Sequence, residues 1–235
     1  MSSPREHCQP TAFSSFVVLA LLLSSVIASA APSIALSKRS GPPTSRIQVS
    51  GSSFEPNVGV DIFFDTKDKA LVVTNGKGEF HDATIYAPRS AYPGQHWVTA
   101  LERNNDKGAQ KPFLVQTDWS QFHFDAGGTR LNPYENVLGP HSVRGMELRW
   151  SYLASNGAWG SPAVDSGVAY VATSATLYAL DANSGAVRWR AQFCCPDLAS
   201  SDPAVAKGIA YIGSFDTGLH ALDAKTGTTL WNYPL

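Results

Sequence analysis

The sequence predicts an all-β protein, a β-sandwich followed by an incomplete β-propeller of about two blades. Three observations carry that prediction. Glycine and proline are frequent, at 19 and 15 of 235 residues, and no sustained helical periodicity accompanies them. Residues 43–117 alternate apolar and polar side chains in short runs divided by turn sequences. Residues 162–231 repeat themselves with a shift of 41–42. The same composition narrows function. A hydrophobic fraction of 43% excludes a wholly disordered chain, and a net charge of −1 argues against a basic nucleic-acid binder or an acidic tail acting by charge alone. Three cysteines are too few for a disulfide framework.

Residues 1–30 predict an address rather than part of the fold. No Asp, Glu, Lys or Arg occurs from His7 to Ser37, Phe16 to Leu23 is densely apolar, and Ala28-Ser29-Ala30 supplies the small residues a signal peptidase accepts. We expect export with cleavage after Ala30. An uncleaved anchor is the alternative, since about 20 apolar residues span a bilayer, but Lys38 and Arg39 would then lie outside, against the positive-inside rule. Cys8 precedes the apolar run, so it cannot be a lipoprotein cysteine. The mature chain is expected to be secreted or at the cell surface, without a stable membrane span. Residues 31–42, ending in Ser40-Gly41-Pro42, read as a linker.

Within 43–117, strands are expected at Arg46–Ser50, Val58–Phe64, Ala70–Thr74, Gln95–Leu101 and Phe113–Thr117. Glu55-Pro56-Asn57, Asn75-Gly76-Lys77-Gly78, Tyr92-Pro93-Gly94 and Asn104–Gly108 mark the turns. Turns every ten residues or so are the pattern of a sandwich. The succession Gly51-x-x-Phe54-x-Pro56, Gly78-x-Phe80 and Pro93-Gly94-x-His96-x-Val98-x-Ala100 resembles the bacterial immunoglobulin-like repeats of exported proteins. That resemblance implies a spacing or binding role. Asn75-Gly76-Lys77-Gly78 lacks the Gly-Lys-Ser/Thr ending of a phosphate loop and is read as a hairpin turn.

Residues 118–150 read as a lead-in segment with a partial blade, and 151–235 as two blades. Pro162-Ala163-Val164-x-x-Gly167-Val168-Ala169-Tyr170-Val171 recurs as Pro203-Ala204-Val205-x-x-Gly208-Ile209-Ala210-Tyr211-Ile212. Leu177-Tyr178-Ala179-Leu180-Asp181-Ala182 recurs as Leu219-His220-Ala221-Leu222-Asp223-Ala224, and Trp189 as Trp231. A period near 40 with four short strands per unit predicts propeller blades, because each four-stranded sheet must bury both faces against neighbours. Alternation in Ala186–Arg190 predicts Val187 and Trp189 on one face. Trp150 reads as the last strand of a preceding partial repeat.

Both units end in Ala-x-Asp-x-x-(Ser/Thr)-Gly-x-x-x-Trp: Ala179, Asp181, Ser184, Gly185 and Trp189, then Ala221, Asp223, Thr226, Gly227 and Trp231. This resembles the tryptophan-docking motif of the pyrroloquinoline-quinone-like (PQQ-like) propeller family. The resemblance implies that Asp and Ser/Thr cap a turn, Gly takes a positive φ, and Trp packs between blades. Trp119-Ser120-Gln121-Phe122 through Asn132-Pro133-Tyr134-Glu135 is similar to the segment before the first blade in such proteins.

Asp181–Gly185 partly mimics a calcium loop. The second copy places Lys225 where Asn183 stands, so both turns are expected to close hairpins rather than hold a metal. Cys194-Cys195 is the sharpest feature; in an exported protein the pair stays free or closes into a strained ring. The resemblance implies a second role for it, since quinone-dependent dehydrogenases of the family carry an adjacent cysteine pair against the quinone face. His81, His96, His123, His141 and His220 show no zinc spacing, and neither a nucleophile elbow nor His-Glu-x-x-His occurs.

A ring needs at least four blades, so two blades predict either a truncated product, the favoured reading, or assembly between subunits. A lone pair leaves an apolar edge open to self-association. The leading expectation is a secreted or surface-exposed, non-catalytic binding scaffold without cofactor or metal, meeting an unidentified protein or surface ligand and no nucleic acid. The alternatives are a fragment of an alcohol or sugar dehydrogenase using PQQ with calcium, and an outer-membrane assembly factor with the same propeller.

Overall fold

The computed structural model describes residues 30–154, 157–158, 160–193, 201–214 and 218–234. The expected export signal, with its cleavage site up to Ser29, and the Cys194-Cys195 pair lie outside the described residues. Among the described residues no helix is long and apolar enough to cross a membrane.

Eight strands build a sandwich. They are β1 (Ser33–Leu36), β2 (Ser40–Gly41), β3 (Arg46–Ser52), β4 (Gly59–Phe64), β5 (Lys67–Val73), β6 (Phe80–Tyr86), β7 (Gly94–Glu102) and β8 (Gly108–Val115). One sheet has the order β1-β3-β6 and the other β2-β8-β7-β4-β5. Period-two alternation places Ile47 and Val49 of β3, Val60, Ile62 and Phe64 of β4, and Val98 and Ala100 of β7 in one shared core, each fully buried.

Three sequence expectations change here. Residues 31–42 are not a linker: β1 pairs with β3 and β2 runs parallel to β8, with Ser40 opposite Leu114. Four- and two-residue strands are too short to display an alternation. Strand β6 was not expected. Asp82 takes φ 53° and a bulge falls opposite it between Val49 and Gly51, so His81 and Asp82 are both exposed and the alternation breaks. Finally, Asn75–Gly78 joins β5 to β6 in different sheets, so it is a crossover turn and not a hairpin. Asn75 Oδ1 closes it by accepting the amides of Lys77 and Glu79 at 2.8 and 3.0 Å.

The glycine-aromatic spacing of this half has a steric reason. A Cβ on Gly51 would enter the rings of Phe80 and Phe54, which pack against each other with centroids 5.5 Å apart. Those rings close one end of the core.

Two four-stranded blades follow. The first has the order β12 (Val187–Gln192), β11 (Thr176–Asp181), β10 (Val168–Ala172), β9 (Ala163–Asp165); the second runs β13 (Ala204–Ala206), β14 (Ile209–Ser214), β15 (Gly218–Asp223), β16 (Thr229–Tyr233). Tyr170, Ala172, Leu177, Ala179 and Trp189 of the first pack on Val205, Ala210, Ile212, Leu222 and Ala224 of the second. The lead-in segment laces the innermost strands together. Trp119 exchanges backbone bonds with Val164 at 2.8 and 2.7 Å, and Ser120 O accepts the Val205 amide at 2.7 Å.

Two further expectations are corrected. A bulge pairs Leu180 with Val187 but Ala179 with Trp189, so Val187 and Trp189 fall on opposite faces and Val187 is 43% exposed. The second blade repeats the bulge between Ala221 and Leu222. Residues 148–152 form no strand, although Trp150 packs against the first blade with Ala154. A strand needs a neighbour to pair with, and no sheet among the described residues offers this segment one.

Candidate functional site

Each docking motif is a turn closed by its own aspartate. Asp181 Oδ1 accepts the amides of Asn183 and Ser184 at 3.0 and 2.9 Å and the Ser184 hydroxyl at 3.0 Å. Asp223 does the same with Lys225, Thr226 and the Thr226 hydroxyl. Gly185 and Gly227 then take φ of 73° and 74°, which favours glycine.

The two carboxylates differ in one partner. Arg188 Nη2 donates to Asp181 Oδ2 at 2.8 Å, whereas Leu230 stands at the matching position beside Asp223. The Arg188 hydrogen bond, followed by those from Ser184 and Asn183, holds the Asp181 carboxyl down at about 2. Asp223 is lowered by the Thr226 amide and hydroxyl and by Lys225. Both carboxylates are thereby occupied within their own turns. Among the described residues no group of three or more His, Cys, Asp and Glu side chains could hold a metal ion.

The tryptophans connect one blade to the next. Trp150 Nε1 donates to Ala182 O at 3.0 Å, and its ring covers Gly185 so closely that a Cβ there would lie 2.6 Å from Cε3. Trp189 repeats this one blade on, with Nε1 donating to Ala224 O at 2.9 Å and a Cβ on Gly227 falling 2.6 Å from Cε3. So Trp150 serves the turn of the first blade, and Trp189, the tryptophan of the first motif, serves the turn of the second. Sequence reasoning missed a second donor: Tyr170 Oη also donates to Ala224 O, at 3.0 Å, and packs on Trp189 with centroids 5.9 Å apart. Burial is the largest cause raising the Tyr170 phenol to about 12. The signal was present, since Tyr170 and Tyr211 stand at equivalent positions of the repeat.

The second blade carries the same donor half turned outward. Tyr211 and Trp231 have ring centroids 6.1 Å apart, close to the 5.9 Å of Tyr170 and Trp189, yet Trp231 is 43% exposed where Trp189 is 9%. Leu230 and Tyr233 of the same outer strand are also exposed. The arrangement offers an indole N–H and a phenol O–H beside an apolar surface. Such a surface suits a backbone carbonyl at the head of a glycine turn.

The other singled-out residues lie apart from this face. His220 is buried in β15, its ring 4.8 Å from that of Phe193. His96 belongs to the sandwich, between Asp65 and the Tyr92 carbonyl. Asp118 of the lead-in segment is half-buried; burial raises its pKa, only partly opposed by the Ser166 amide it accepts at 3.0 Å.

Residues 129–234 match the PQQ-like repeat model described as outer membrane protein assembly factor BamB. The chain is 32% identical over 131 residues to the 1-butanol dehydrogenase (cytochrome c) of Thauera butanivorans, covering 51% of this chain and 19% of that protein. It is 36% identical over 98 residues to the serine/threonine-protein kinase AfsK of Streptomyces griseus, covering 37% and 12%. Among solved structures, the quinohemoprotein alcohol dehydrogenase of Comamonas testosteroni superposes with a TM-score of 0.44 at 28% identity, over 50% of this chain and 19% of that one. The chain thus spans about a fifth or less of the length of these relatives.

Proposed function

Taking residues 129–234 as members of the PQQ-like repeat family, we propose that the chain is a secreted or cell-surface binding scaffold without catalysis of its own. One observation carries this reading: the second blade sets a half-buried Tyr211 beside an exposed Trp231, in the arrangement by which Tyr170 and Trp189 hold the neighbouring blade. The face is built to receive a β-hairpin turn, whether from a further blade, a second copy or a partner protein. The similarity by itself does not dictate chemistry, since proteins named as a dehydrogenase and as a kinase both match parts of this chain.

The sandwich fits an immunoglobulin-like spacer. The parallel pairing of β2 with β8 at the edge of a five-stranded sheet, opposite a three-stranded one, supports that assignment. Export is supported by the apolar run Phe16 to Leu23 and the Ala28-Ser29-Ala30 cleavage pattern.

Sedimentation of the chain across a wide concentration range tests the scaffold. Association is expected, and Trp231→Asp should shift it toward monomer. A wild-type chain that stays monomeric throughout overturns self-association through the blade edge.

The relatives favour one other reading, a segment of a PQQ- and calcium-dependent alcohol or sugar dehydrogenase in which Cys194-Cys195 lies against the quinone. Alcohol-dependent dye reduction with added PQQ and calcium, lost in Cys194→Ser, would establish it in place of the scaffold. The description of the family model supports a third, an assembly factor at the outer membrane.

A further inference from the structure

The loop of residues 87–93 joins β6 to β7 and crosses from one sheet of the sandwich to the other. It also meets the lead-in segment. Asn136 Nδ2 donates to Ala91 O at 2.8 Å and to Arg89 O at 3.2 Å, and Arg89 Nη2 donates to Pro133 O at 3.1 Å. The loop therefore fastens the sandwich to the segment that laces the blades.

His96, the third residue of β7, holds the end of that loop. Its Nε2 lies 2.7 Å from the Tyr92 carbonyl oxygen and its Nδ1 2.7 Å from Asp65 Oδ2. Asp65 is fixed in turn, its Oδ1 accepting the Trp97 amide at 3.0 Å. A carbonyl only accepts, and so does an ionised carboxylate. An imidazole can donate from both nitrogens only as the imidazolium. In the neutral ring one nitrogen would turn a lone pair toward an oxygen 2.7 Å away. The charge of Asp65 retains the Nδ1 proton, so the proton that leaves first is the one facing Tyr92.

We propose that His96 is a protonation-controlled latch, which as an imidazolium fastens loop 87–93 and, through Arg89 and Ala91, the junction with residues 133–136. Loss of the Nε2 proton releases both. The surroundings define what acts on the ring. The β4–β5 turn contributes Asp65 and, across the same cleft, β5 contributes Lys67; β4 places the Phe64 ring 5.3 Å away. Strand β8 sets the apolar Phe113 opposite, and the loop adds Tyr92. Burial works against the charged ring, but the Asp65 hydrogen bond, the Tyr92 carbonyl and the Asp65 charge together raise its pKa above the ordinary value of 6.5. A raised value means that the stabilisation is fully present below pH 6.5 and is lost as pH rises through the folded-state value.

Amide exchange of the full chain between pH 5.5 and 9, corrected for the intrinsic rate, tests this alongside an NMR titration of His96. Protection of residues 87–93 and 132–138 should fall together by about tenfold, with the midpoint of the His96 titration. His96→Gln should give a flat profile. Asp65→Asn keeps an acceptor but removes the charge, so it should move the midpoint down by about one pH unit. Constant protection in the wild type, a pH profile that survives His96→Gln, or a midpoint unmoved by Asp65→Asn would each overturn the latch. So would loosening of loop 87–93 without residues 132–138.

Discussion

Replacing Gly227 by alanine probes the geometry by which one blade holds the next. Its φ of 74° costs an L residue about 1–2 kcal/mol. The new Cβ would stand 2.6 Å from Trp189 Cε3 and 2.7 Å from Cδ2. Both are atoms of a rigid ring, so the indole must back away by about 1 Å to regain ordinary contact. Retreat weakens the 2.9 Å bond from Nε1 to Ala224 O, worth about 1 kcal/mol. It also disturbs a packed interface, at about 1–3 kcal/mol. The expected loss is therefore about 3–6 kcal/mol. Gly208 provides the control, because its φ is 77° and a Cβ there meets nothing within 4 Å. Gly208→Ala should cost only the backbone term, about 1–2 kcal/mol. Urea unfolding of both variants followed by far-UV circular dichroism measures the difference. If the two agree within about 0.5 kcal/mol, the tryptophan contact contributes nothing and the docking argument fails.

Tyr170→Phe and Trp189→Phe each remove one of two donors to Ala224 O, and the double variant should lose about 1–2 kcal/mol beyond their sum because the carbonyl is then unpartnered; additive losses in a double-mutant cycle would contradict this. Tyr170 is raised to about 12, so its contribution is present below pH 10 and should vanish as pH climbs from 10 through about 12, read by ultraviolet titration beside alkaline unfolding. Asp181 is depressed to about 2, so the stabilisation it gives is present above 3.8 and lost as pH falls through about 2. Arg188→Leu, which copies the second blade, should bring that loss to higher pH in an acid-unfolding series. Trp231→Phe should change monomer stability by no more than about 0.5 kcal/mol, in contrast to Trp189→Phe, since Trp231 is 43% exposed.

What the sequence by itself determined was whatever depends on near neighbours. The capped turns at Asp181–Gly185 and Asp223–Gly227 were legible because each aspartate bonds amides two and three residues on. The blades were legible because a repeat of 41–42 residues writes the same four strands twice. The sandwich was legible wherever alternation ran unbroken, as in β4 and β7. Tertiary structure decided the rest. The motif shows that Trp189 is needed, but not that its indole serves the turn of the next blade, since Ala224 is 35 residues away. The bulges that divide Val187 from Trp189 leave no mark in composition, because inserting one residue into a strand changes its facing without changing its character. Strands β1 and β2 acquire their identity only from the partners they pair with. His96 reads as a strand residue until folding brings Asp65, 31 positions back, to one nitrogen and the Tyr92 carbonyl to the other. Hydrogen bonds within a turn are encoded by adjacent side chains, whereas contacts across tens of residues exist only once packing has fixed both partners in place.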